Sequence, residues 1–174
     1  IQKLEATNAV YIREAEDGEL VKRCHDILGE IEDGAFFASR WSDDKAAQLE
    51  ASMPGLKERA KSLVELINAA RYLFAERPLP LDKKANKLLD DDAKAMLGRL
   101  SGDLASMDGW SADAIETTVR TFAETSDLKL GKVAQPLRAA VTGTGVSPPI
   151  FDVMEVLGRE ETLARLQDQT TAHS

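Results

Sequence analysis

Apolar positions recur along this chain at helical spacing almost from end to end, and helix breakers interrupt them at short intervals. Residues three, four and seven apart share one face of a helix that turns once in about 3.6 residues. That spacing predicts a first helix over Leu4–Glu16, stopped by Asp17-Gly18, and a second over Glu19–Ile31. A third is predicted over Ser42–Ser52, with Ser42 as N-cap ahead of acidic residues that suit a helix start. Pro54-Gly55 then opens the longest helix, Leu56–Ala75, which closes before Pro78 and Pro80. Further on, the pattern predicts helices over Asp82–Leu89, Asp91–Met107 and Ala112–Ser126, the last with Ser111 as N-cap. The final three are Lys132–Thr142, Pro148–Leu157 and Arg159–Gln169, with Gly143 and Gly158 where C-terminal caps belong. No segment alternates with a period of two, so the expected fold class is all-α. The prolines at 78 and 80 mark a boundary between two small helical subdomains, 1–76 and 77–174.

Composition agrees with this reading and narrows the function classes. With 174 residues, 43% hydrophobic and 30% charged, the chain can bury ordinary globular cores. Aromatics are only 5%, while alanine and leucine abound, which favours helix over sheet. No run is long enough to span a membrane, and IQKLEATNAV lacks the features of a signal peptide, so no membrane partner is expected. One cysteine, Cys24, cannot form an internal disulfide, and the expected location is the cytoplasm. The net charge of −8 argues mildly against nucleic acid, because neutralising phosphates requires Lys and Arg. The sum hides a distribution, however. Acid gathers in Asp43–Glu50 and Asp82–Asp103, whereas Arg120, Lys129, Lys132 and Arg138 against Glu124 and Asp127 leave 120–138 at +2.

The chemistry-bearing stretch is LKLGKVAQPLRAAVTGTGVSPPIF, 128–151. On a helical wheel Val133, Leu137, Ala140 and Val141 form one apolar stripe, and Gln135 and Arg138 fall together opposite it. That polar pair reads either as a solvated face or as base-reading chemistry. An amide offers donor and acceptor together and a guanidinium a fixed fork of donors, the groups that recognise nucleobase edges. Ser147 and Pro148 fit an N-cap and first helical position, with Val146 and Phe151 as a hydrophobic staple. The same turn could equally present N–H groups and an exposed Phe to RNA.

Arg59 falls within the apolar stripe of the long predicted helix, between Leu56 and Leu63, either as a snorkelling arginine or as one aimed at a partner. Arg120 flanks Ile115, Val119 and Phe122 on its helix. His25, His173 and Cys24 make no metal set, and no phosphate-cradling glycine loop or nucleophile elbow is present. The acidic run Asp90–Asp92 reads as a helix start. No catalytic residue, metal ligand or cofactor site is expected in this sequence.

LKLGKVAQPLRAAVTGTGVSPPIFDVMEVLGREETLARL, 128–166, closely resembles the C-terminal end of bacterial glutamyl-tRNA synthetases. That family carries a KxG-x₃-QPLR-x-A-x-TG run, a Ser/Thr-Pro turn, an Ile/Leu-Phe pair and LG[KR]E. At the other end KLEATNAVYIR is similar to the family's KLxWxNxxYIR, with Lys3, Leu4, Asn8, Tyr11, Ile12 and Arg13 in place and Ala6 where an aromatic is usual. LKERAKSLVELINAARYLF matches between them, and the resemblance is weakest over Asp82–Gly109.

The resemblance implies an anticodon-binding helical cage, the first subdomain contacting the tRNA stem and anticodon and the second the anticodon. The family's HIGH-like and KMSKS-like motifs are absent from this sequence, so ATP and Mg²⁺ are expected only for a catalytic part that it does not contain. Anticodon contacts then fall on Arg59, Arg120, Gln135, Arg138, Ser147, Pro148, Ile150 and Phe151. Gln135 and Arg138 would read base edges, Ser147 would add a polar contact, and Pro148, Ile150 and Phe151 would face base planes. The implied partner is tRNA-Glu, bound by a monomer in support of ATP-dependent attachment of glutamate. An arginine at the Arg59 position goes, in that family, with discrimination against tRNA-Gln. The alternative from another class is a helical protein–protein interaction module, which the acidic surface would also suit.

Overall fold

The computed structural model describes residues 2–171, with side chains from Asn8 onward. Among these residues every regular element is a helix, as the spacing predicts. The chain divides into two compact units, one up to Ala75 and one from Glu76 on. His173 and the side chains of Lys3, Leu4 and Ala6 lie outside the described residues.

The first unit holds α1 (Gln2–Glu14), α2 (Asp17–Asp26), α3 (Gly34–Ala38), α4 (Asp43–Lys57), α5 (Leu63–Ala69) and α6 (Arg71–Phe74). Its core joins Leu20 and Cys24 of α2 to Leu49, Met53 and Leu56 of α4 and to Leu66 and Ile67 of α5. Phe37 of α3 meets Phe74 edge-on at 5.3 Å, and Trp41 stacks on Phe74 at 5.6 Å, so this short, unpredicted helix is held by aromatic burial. Asp17-Gly18 begins α2 and does not merely end α1.

The long helix predicted over Leu56–Ala75 does not form. Ser42 caps α4 as expected, accepting from the Lys45 N–H, but α4 then runs through Pro54 to Lys57. The chain turns over 58–62 and restarts at α5. Ser62 accepts from the Glu65 N–H at 3.1 Å, while Glu65 reaches back to the Lys61 N–H at 2.8 Å. This reciprocal capping stabilises a new helix start inside the apolar run. Val64, which one continuous helix over this run would set in its apolar stripe, is 42% exposed.

The second unit holds α7 (Lys83–Leu88), α8 (Asp91–Ala105), α9 (Ala112–Thr125), α10 (Leu130–Thr142), α11 (Ile150–Leu157) and α12 (Arg159–Thr170). Asp82, Asp90 and Ser111 cap α7, α8 and α9 through their side chains. Thus the acidic run at 90–92 is a helix start. At the end of α9 Asp127 takes φ +56°, and the Leu128 N–H returns to the Ala123 carbonyl at 2.8 Å. That closure satisfies the last turn and redirects the chain into α10.

α10 packs against α7, α8, α9, α11 and α12 and is the central helix of this unit. Val133, Leu137, Ala139, Ala140 and Val141 are completely buried. Two features secure its far end. Gly143 takes φ +78°, and a Cβ there would also run into the Pro80 carbonyl, so glycine alone fits. Arg165 of α12, 1% exposed, donates to the Val141 carbonyl at 2.7 Å and to Glu161 at 3.0 Å. Val141 lies in the last turn, where helix carbonyls have no partner of their own and a cation is favourable.

Candidate nucleic-acid interface

Because α10 is buried on most of its circumference, few of its side chains reach the surface. Gly131, Lys132 and Gln135 are exposed and Arg138 is half-buried. These positions step along one edge by three and four residues, so packing leaves one narrow polar ridge on an otherwise enclosed helix.

Arg138 Nε donates to Ser147 Oγ at 2.9 Å, and Ser147 Oγ donates in turn to the Pro148 carbonyl at 2.7 Å. The hydroxyl therefore both accepts and donates, which fixes its rotamer and aligns the guanidinium beside the turn. Thr142 and Thr144 brace the approach to that turn. Thr142 Oγ1 donates to the Arg138 carbonyl at 2.8 Å, and Thr144 Oγ1 donates to the Val146 carbonyl at 2.7 Å. Threonine hydroxyls satisfying nearby backbone in this way stiffen a loop that lacks regular structure. The TGTG run at 142–145 is the sequence signal for these braces, which wheel reasoning alone passes over.

The turn itself differs from expectation. α11 starts at Ile150, two residues later than predicted, and Ser147 is not its N-cap, since its hydroxyl is engaged with Arg138 and Pro148. Val146 is 69% exposed and forms no staple. Pro148 is buried and Ile150 is 3% exposed, so both seat the turn on the core and offer little surface to a base plane. The accessible apolar atoms here belong to the exposed Val146 and Pro149 and the half-buried Phe151. Burial of Ile150 follows from its place in the first turn of α11, whose inner face also carries Val153, Met154 and Leu157.

Arg120 lies exposed on α9, its Nε 2.8 Å from Glu116, with Ile115, Val119 and Phe122 buried on the other side as the wheel places them. Since α9 packs on both α10 and α11, Arg120 belongs to the same unit as the ridge. Arg59 belongs to the first unit and is exposed in the 58–62 turn, not within an apolar helical stripe. Its exposure is a direct result of the helix break.

Among the described residues no group of His, Cys, Asp or Glu is placed to hold a metal ion. Among the described residues no helix is long and apolar enough to cross a membrane. Burial pushes the Cys24 thiol up to about 12, where it is a poor nucleophile.

A buried helix with one polar ridge, a rigid Ser-Pro turn beside it and an all-helical frame coincide with a family match over residues 19–170, described as an anticodon binding domain. The chain belongs to that family. It is similar over 170 residues, at 53% identity, to the glutamate–tRNA ligase of a Bradyrhizobium strain, covering 98% of this chain and 36% of that protein. The glutamate–tRNA ligase of Afipia carboxidovorans is 52% identical over 167 residues, 96% of this chain and 35% of its own length. A crystal structure of a glutamate tRNA ligase from Elizabethkingia meningosepticum matches with a TM-score of 0.76 at 26% identity, covering 97% of this chain and 32% of that one. This anticodon-binding domain thus spans about a third of the length of the ligases it matches.

Proposed function

We propose that this domain reads the anticodon of tRNA-Glu as the C-terminal part of a glutamate–tRNA ligase. The observation that carries the reading is the Arg138–Ser147 hydrogen bond of 2.9 Å beside exposed Gln135. A guanidinium held by one of its nitrogens has lost most of its rotamer freedom before RNA arrives, so less ordering cost remains at binding. Gln135, one turn earlier, brings donor and acceptor to the same ridge. Unpaired anticodon bases expose their Watson–Crick edges to such groups and their faces to Phe151 and Val146. Arg120 adds positive charge from α9, and Arg59 supplies a second, separately positioned reader from the first unit.

In this reading the domain selects the tRNA, and glutamate attachment takes place on a catalytic part that uses ATP and Mg²⁺. The residues of this chain perform recognition and no bond chemistry. The protein works in the cytoplasm as a monomer.

The test is a titration of the 174-residue chain against unmodified tRNA-Glu and tRNA-Gln transcripts across a range of salt. Tighter binding of tRNA-Glu, with the logarithm of affinity falling linearly in the logarithm of salt, is the expected result. No binding at low salt, or binding indifferent to salt, overturns the reading.

A further inference from the structure

A groove of about 610 Å³ opens where α10 meets α7 and α8, and Gln135 forms part of its wall. This volume is in the range of about 300–1,000 Å³ typical of built ligand sites. Its cationic side chains are Lys87 of α7, Arg99 of α8 and Lys132 of α10, and its acids are Asp90 and Asp92. Three positive against two negative charges make it net positive, in a chain whose total is −8.

The two acids count for less than their formal charge. Asp90 accepts from the Ala93 N–H at 2.8 Å as the cap of α8, and Asp92 lies in the first turn of that helix. Both therefore face the positive end of a helix dipole, which offsets part of their field. Lys87 and Lys132 are exposed, and neither is held in an ion pair among the described residues. Beneath them Met96, Leu128 and Pro136 supply an apolar floor. Exposed cations above an apolar floor, with the Gln135 amide on the wall, suit one nucleotide. The cations match a phosphate, and the floor matches a ribose or base face.

We propose that this groove is an additional RNA subsite, taking the phosphodiester of the nucleotide adjoining the base at Gln135, with Lys87 and Lys132 as its phosphate contacts. The inference rests on the anticodon-reading function and extends it from base edges to the path of the strand. Phosphate contacts position the strand and carry no sequence information, so the two lysines act equally on any anticodon.

The test compares the 174-residue chain with a Lys87→Gln/Lys132→Gln double variant and with Lys94→Gln, an equal change per site on α8 outside the groove. Affinity for a tRNA-Glu transcript and for one with an altered anticodon is measured against salt. The double variant should lower the log–log salt slope by about 0.7 per lysine and weaken both transcripts by the same factor. Lys94→Gln should change the slope less than either groove lysine. If wild type binds and the double variant keeps its slope, the subsite is wrong while the anticodon reading stands. Unequal weakening of the two transcripts also overturns it, since the lysines would then be reading bases. If wild type binds neither transcript at low salt, both readings fall together.

Discussion

Arg138 and Ser147, nine residues apart on α10 and on the turn before α11, are joined by an Nε–H···Oγ hydrogen bond of 2.9 Å. The bond ties the polar ridge of a buried helix to a loop that Thr142 and Thr144 already brace. Ridge and loop therefore behave as one preorganised surface. Replacing Arg138 by Ala should weaken tRNA-Glu binding by about 1–3 kcal/mol, the usual worth of a base-reading arginine. Helical circular dichroism should be unchanged, because the side chain is only half-buried. A loss of helicity in the variant would instead assign Arg138 to the scaffold.

Arg59 stands exposed in the turn between α4 and α5. Arginine has only donors, whereas unpaired cytosine presents O2 and N3 as adjacent acceptors and guanine presents donors in the corresponding place. The tRNAs for glutamate and glutamine differ at the third anticodon base, C against G. A full-length ligase carrying this domain should therefore prefer tRNA-Glu by roughly 10- to 100-fold, the scale of one good base contact. Arg59→Gln should narrow the gap mainly by improving tRNA-Gln, read as kcat/KM for both tRNAs. Equal charging by wild type would remove the discriminating role.

Arg165 is a buried cation whose value lies at the end of another helix. Replacing it by Leu leaves the Val141 carbonyl without its 2.7 Å donor, while Glu161 on the surface side regains water. The expected loss is about 1.5–3 kcal/mol in urea unfolding, the range for a charged hydrogen bond to a buried group. Weaker RNA binding should follow at temperatures where the fold persists, because α10 loses its anchor. A variant as stable as wild type would show that the carbonyl finds another partner.

Cys24 is fully buried, and loss of water around it raises its thiol from 9.0 to about 12. The reactive thiolate is then on the order of a thousandfold scarcer at pH 8 than for an ordinary cysteine. Iodoacetamide should label the native chain far more slowly than the urea-unfolded one. The linkage has a definite sign. From about pH 9 to 12 the unfolded thiol ionises and the folded one does not, so stability falls with rising pH across that window. Equal labelling of folded and unfolded chains would refute the burial.

Helix identity was legible in the sequence wherever the evidence is local. Ser42, Ser111 and the acids at 82 and 90 announce helix starts because a side-chain oxygen three residues upstream caps an N–H within the same turn. The apolar stripe of α10 and its polar pair at 135 and 138 were legible too, since both follow from the helical repeat alone. The break at 58–62 was misread because two local signals compete there. Periodicity continues through the run, but the Ser62/Glu65 caps and the burial of Leu66 in place of Val64 favour two short helices. The exposure of Arg59 hangs on that competition. Ile150 and Pro148 face inward because α11 and its preceding turn seat them on a core assembled from distant segments. The inward Arg165 and the groove beside Gln135 likewise depend on contacts between elements that are not neighbours in the chain, and the hydroxyl bridge from Ser147 to Arg138 depends on how the following turn folds back onto α10. A helical wheel records which side chains share a face, but burial depends on what packs against that face, and only the folded chain brings those surfaces together.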